Sequence, residues 1–157
     1  MKIFFAADHA GFEMKNALIE YVKGLEFEVE DCGAYELNPN DDYPEFIKKA
    51  AQAVSEAPEG RRAIVLGGSG QGEAIVANKF PNVRAVEYYG PASAEASAGK
   101  GNLEVVKLSR EHNNANVLSL GARFLSLDEA KEAVKLWLET SFSDEERHKR
   151  RISKIEN

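Results

Sequence analysis

The chain has 157 residues, 29% of them charged and 43% hydrophobic, and a net charge of −6. That length gives one domain, residues 1–157, with a sizeable core, and the acidic balance argues against general nucleic-acid binding. A single cysteine, Cys32, excludes an internal disulfide, no apolar run is long enough to span a membrane, and Met1–Asp8 is too short and too soon charged for a signal peptide, so the expected location is cytoplasmic.

Lys2–Ala7 reads as a strand with Asp8-His9-Ala10-Gly11 at its C-terminal end. Phe12–Lys23 carries Met14, Ala17, Leu18, Tyr21 and Val22 at helical spacing and stops at Gly24. Phe27–Cys32 alternates apolar and acidic residues as a strand does, Gly33–Tyr43 is a polar loop, and Pro44 suits the first turn of a helix running to about Glu56. Ala63–Leu66 has the apolar continuity of a buried parallel strand. Ala74–Phe80 is the next predicted helix, broken by Pro81-Asn82, and Arg84–Tyr88 the fourth strand. Pro91–Arg110 is mostly helix-compatible but interrupted by Gly99-Lys100-Gly101-Asn102. Val117–Leu120 is strand five, Leu127–Glu139 an amphipathic helix, and Ser143 the expected cap of a last helix over about 143–155. Such alternation predicts a Rossmann-like three-layer α/β/α sandwich around a five-stranded parallel sheet. Ligands in such folds sit beyond the C-terminal strand ends. Asp8-His9 and the stretch after strand three both fall there.

That stretch, Gly67-Gly68-Ser69-Gly70-Gln71-Gly72-Glu73, is the centre of the chain's chemistry. Its glycines permit a sharp turn and close approach to the main chain. The following helix start adds free N–H groups and partial positive charge. A donor cluster beside a carboxylate is what proton abstraction next to a carbonyl requires. The blander readings are a tight turn, and a glutamate that merely complements a helix dipole. The spacing Gly68-x-Gly70-x-Gly72 is not a dinucleotide fingerprint, and Gly99-Lys100 lacks the rest of a P-loop. His9, His112 and His148 have no ligand-like spacing with one another or with Cys32, so no metal is expected. Arg147 and Arg151 are four apart, on one helix face, where they either grip one phosphate or form a solvated surface.

Together these residues resemble the ribose-5-phosphate isomerase B and galactose-6-phosphate isomerase family over nearly the whole chain. The motifs are Asp8-His9-Ala10-Gly11-Phe12, Asp42-Tyr43-Pro44, Gly68-Ser69-Gly70-Gln71-Gly72 with Ala77-Asn78-Lys79, Arg110-Glu111-His112-Asn113-Asn114-Ala115-Asn116-Val117-Leu118, Gly121-Ala122-Arg123, and Arg147-His148 with Arg151. Many members place a cysteine base where this chain has Gly67. A second branch uses a glutamate six positions later, and Gly68–Glu73 matches that branch.

The resemblance implies interconversion of ribose 5-phosphate and ribulose 5-phosphate through a cis-enediolate. Glu73 would move the proton between C2 and C1, and His112, assisted by Asp8, would open the furanose ring. Ser69 would pass a proton between the two oxygens. The backbone around Gly68, Gly70, Gln71 and Gly72 would hold the enediolate. His9, Arg123, Arg147 and Arg151 would bind the phosphate, with Tyr43 and Asn113 lining the pocket. It also implies no metal or organic cofactor, and a homodimer or homotetramer. The site would lie at the subunit interface, beside the last helix, with His112 serving another subunit's Glu73. About ten extra residues between Ala92 and Val105, of a kind that surface loops absorb at little cost, separate the chain from the usual pattern. They keep open an allose, galactose or tetrose phosphate as substrate. A non-catalytic sugar-phosphate-binding subunit would need the arginines but neither Glu73 nor His112. A receiver-like signalling domain would need an aspartate at the end of strand three.

Overall fold

Three apolar runs build the centre of the sheet: β1 (Lys2–Ala7), β3 (Arg61–Gly67) and β5 (Val117–Gly121). Nearly every residue in them is buried, as expected for parallel strands covered on both faces. The edges are β2 (Glu28–Asp31) and β4 (Ala85–Tyr88), and the order is β2-β1-β3-β5-β4 with every pairing parallel. The computed structural model describes residues 1–90 and 103–156. Among these, six helices flank the sheet: α1 (Phe12–Gly24), α2 (Tyr43–Glu56), α3 (Gln71–Ala77), α4 (Leu103–Asn113), α5 (Leu127–Glu139) and α6 (Glu146–Ile155). No described helix is long and apolar enough to cross a membrane.

Successive strand residues point to opposite faces, so the core divides in two. Ile3, Phe5, Ile64, Leu66, Leu118 and Leu120 pack against α1, α4 and α5 around the fully buried Trp137. Phe4, Ala6, Ala63, Val65 and Val117 pack against Ile47, Ala51 and Val54 of α2 and Ala77 of α3. This is a three-layer Rossmann-like α/β/α architecture. The chain leaves β1 for one face and β3 for the other, so a crevice opens at the C-terminal ends of these adjacent strands.

The structure corrects several boundaries. The third helix starts at Gln71 and ends at Ala77, because Gly70 takes a left-handed φ of 85° and starts the helix at once. The second strand contracts to Glu28–Asp31 and the third extends to Arg61–Gly67. Ser143 caps nothing: its N–H donates to the Glu111 carbonyl at 3.1 Å, and the last helix begins at Glu146 with Glu145 at its cap position and no side-chain cap bond. Of the expected insertion, residues 92–102 lie outside the described residues, and Leu103, Glu104 and Val105 open α4.

Candidate active site

Each wall of the crevice is set by a local backbone requirement. After β1, Asp8 is 8% exposed, and its Oδ1 accepts from the N–H groups of Ala10 (2.9 Å) and Gly11 (3.3 Å). A Cβ on Gly11 would stand 2.6 Å from the Leu66 Cβ, so only glycine lets α1 start this close to β3. Next to Asp8, His9 is tethered twice by Asp41 from the long loop. The Asp41 Oδ1 accepts the His9 N–H at 3.1 Å and lies 2.6 Å from Nδ1. That contact assigns the Nδ1 proton and leaves Nε2 free for a ligand.

After β3 the chain runs through Gly67–Gly70 into α3. The N–H groups of Gly68, Ser69 and Gly70 donate to no acceptor among the described residues, and the Gln71 N–H donates to the Ser69 Oγ at 3.3 Å. Glu73, in the first turn of α3, is 4% exposed. Its carboxylate fills the space where a side chain on Gly67 would begin. Burial raises its pKa above the ordinary carboxylate value, opposed by a hydrogen bond from its own N–H and reinforced by the negative charges of Asp8 and Glu87. Between helix start and desolvation, desolvation wins. Across the cleft, the Arg123 guanidinium lies over Gly68, and the Tyr43 ring packs on Gly72 so closely that a Cβ there would meet it at 2.7 Å.

These parts enclose an open cleft of about 560 Å³. Of the residues expected in the site, it brings together Asp8, His9, Tyr43, Gly68, Ser69, Gln71, Gly72, Glu73 and Arg123. Gly70 lies beneath the wall, its carbonyl accepting from the Ser119 Oγ at 2.6 Å. His112, Asn113, Arg147 and Arg151 are elsewhere within the chain. His112 and Asn113 end α4, which leads back to the start of β5, so they stand at the opposite edge of the sheet from Glu73. His112 stacks on His148 of α6 with ring centroids 4.3 Å apart, and Arg147 and Arg151 are exposed on the same helix. Arg147 pairs with Glu145 at 2.8 Å.

Asp41 and Glu87 escaped the sequence reading. Asp41 was hidden in the run Asn38-Pro39-Asn40-Asp41-Asp42. Glu87 is the one charge in β4, Ala85–Tyr88; its Oε1 is buried without a partner, and burial raises its pKa. Asp8, His9 and Asp41 are also the described group whose ligand-type atoms cluster, all within 4.8 Å, but the His9–Asp41 contact already engages Nδ1. Cys32 cannot act as a nucleophile, since burial and the nearby Glu30 and Asp31 push its thiol up to about 11.

A buried carboxylate, an open run of amide N–H groups and an arginine, at the switch point of a parallel sheet, define a class: α/β enzymes that move a proton on an anionic substrate. Residues 3–155 match the family model described as Ribose/Galactose Isomerase, and the chain belongs to that family. It is 39% identical to ribose-5-phosphate isomerase B of Mycobacterium tuberculosis over 152 residues, 97% of this chain and 86% of the relative. Against ribose-5-phosphate isomerase B of Escherichia coli it is 35% identical over 154 residues, 98% of this chain and 93% of the relative. The crystal structure of ribose-5-phosphate isomerase B from Mycoplasma genitalium with bound ribulose-5-phosphate superposes with a TM-score of 0.88 at 34% identity, covering 99% of this chain and 93% of that one.

Proposed function

We infer that the chain is an aldose–ketose isomerase that interconverts ribose 5-phosphate and ribulose 5-phosphate. The observation that carries this reading is the Glu73 carboxylate, buried beside the open N–H groups of Gly68, Ser69 and Gly70 in a cleft that also holds Arg123. Its raised pKa brings the base nearer to working pH. On the open-chain aldose, Glu73 takes the C2 proton, the C2–H electrons form the enediolate double bond, and negative charge settles on O1. The backbone donors hold that charge, Ser69 passes the hydroxyl proton between O2 and O1, and Glu73 returns its proton to C1. Asp8 binds a sugar hydroxyl, and Arg123 with the free Nε2 of His9 takes the phosphate. Every proton and charge is handled by residues of the chain, so the reading needs no metal or organic cofactor.

One half of the proposed machinery, His112, Asn113, Arg147 and Arg151, stands away from this cleft, so we place it in the cleft of a second subunit, as a homodimer or homotetramer. Ile75, Phe124 and Tyr89 are 62%, 63% and 50% exposed; Ile75 and Phe124 line the cleft, and Tyr89 packs edge-on to Phe124. An apolar rim around a polar cleft suits burial against another copy. The chain would work as a single cytoplasmic isomerase domain. The test is turnover in deuterated water followed by NMR, on ribose 5-phosphate beside allose 6-phosphate, galactose 6-phosphate and a tetrose phosphate. Preferred turnover of ribose 5-phosphate with deuterium entering at carbon is expected. Tight binding without turnover or exchange on any of them would overturn the enzyme reading.

A further inference from the structure

At the sheet edge opposite Glu73, a second polar cavity of about 310 Å³ is lined by Arg62 of β3, Arg110 of α4, and Asn114 and Asn116 just before β5. Both arginines are buried, at 8% and 4% exposure, and both lie against the Trp137 ring, 5.4 and 5.7 Å from its centroid. Neither has a carboxylate partner among the described residues. The Arg62 Nη1 donates to the carbonyls of Trp137 (3.3 Å) and Leu138 (3.0 Å) at the end of α5. The Arg110 Nε donates to the Thr140 carbonyl at 3.3 Å, and its Nη1 to the Asn114 Oδ1 (2.8 Å) and the Ala115 carbonyl.

These acceptors carry only partial charge, so two buried positive charges stand close together without a counterion. Burial, then the charges of Arg62 and Arg84, push Arg110 down to about 9. The Arg62 Nε and Nη2 and the Arg110 Nη2 have no acceptor, yet none of them is sealed from solvent. They remain reachable from the cavity that both side chains line. Asp144, at the margin, is occupied by Lys149 at 2.9 Å, and the exposed Glu59 is the acid facing the pair.

We propose that Arg62 and Arg110 form an anion site that binds a dianionic phosphate group, free or carried on a small organic body. Guanidinium forks match phosphate oxygens, and stacking on Trp137 fixes the forks in advance. An occupant bridges the C-terminal ends of α4 and α5, two residues before His112 on α4.

The experiment follows the Nε–Hε resonances of the arginines in the full-length protein by NMR while inorganic phosphate, and separately glycerol 2-phosphate, is titrated. Saturable shifts of Arg62 and Arg110 are expected. Stronger binding of glycerol 2-phosphate points to an organic phosphate, and equal binding to free phosphate. Glu59→Gln, a change in an exposed turn, removes a competing charge and is expected to tighten binding about 2- to 5-fold. Arg62→Met keeps packing on Trp137 and is expected to abolish the Arg110 shift while KM for ribose 5-phosphate stays unchanged. The proposal is overturned if Arg62 and Arg110 stay unmoved while Arg123 shifts, or if Glu59→Gln fails to tighten binding. Only the KM readout depends on the isomerase reading; the phosphate titrations stand or fall without it.

Discussion

The carboxylate of Glu73 occupies the volume in which a side chain on Gly67 would begin. The last residue of β3 and the first turn of α3 therefore compete for one space. Glycine at 67 is the condition for the Glu73 carboxylate to sit here, and the two positions read as one choice. Gly67→Ala is expected to fold but to push the carboxylate aside. A misplacement of about 1 Å costs on the order of 100-fold in kcat. Steady-state kinetics beside a melting curve separates the two effects, and wild-type kcat in this variant would show that the space at position 67 does not set the position of the working carboxylate.

Burial holds Glu73 above its ordinary value near 4.5, so the folded chain binds that proton more tightly than the unfolded one. Stability from this group is fully present below the ordinary value and is lost as pH rises through the raised native value. Glu73→Gln removes the buried charge. It is expected to be nearly inactive, to melt above wild type at pH 7, and to lose that advantage below the ordinary carboxylate value. Thermal unfolding at several pH values, with turnover, checks both halves.

If His9 binds the phosphate as proposed, Asp41 acts on it through the His9 ring that it holds. Asp41→Ala frees the ring to rotate and removes a hydrogen bond of the kind worth about 1.5 kcal/mol or more to a charged group. KM for ribose 5-phosphate and the inhibition constant of inorganic phosphate are each expected to rise about 10-fold, with kcat largely kept. An equal fall in kcat with no change in KM would assign Asp41 to the chemical step instead.

If His112 completes a second subunit's cleft, inactive His112→Ala and Glu73→Gln chains rescue each other. In a randomly mixed dimer half of the dimers are hybrids with one intact site of two, so about a quarter of wild-type activity returns. No recovery after demonstrated subunit exchange would place the whole site within one chain.

The buried centre of the fold was legible because β1, β3 and β5 are covered on both faces and so read as apolar runs, and because Leu127–Glu139 keeps a clean helical period. The start of α3 was not, since nothing in Gly68-Ser69-Gly70 announces which glycine takes the left-handed turn. Ser143 looked like a cap only because cap residues are common in any connection. Most of the cleft followed from the glycine loop and Asp8-His9. Asp41 did not, because its partner is 32 residues away, and the Arg62–Arg110 pair did not, because the two meet only once β3 and α4 are packed. Patterning does not give the sheet order, but the chain order alone, with Glu73 after strand three and His112 before strand five, already puts the two at opposite ends of a parallel sheet.

Cys32 offers no reactive sulfur, being buried and held protonated with its thiol pushed up to about 11. If Glu73 is the base, as proposed, the described residues lining the cleft include no thiol for peroxide to oxidise. Turnover by such a site would then be insensitive to thiol oxidation, leaving substrate supply and pH as its controls.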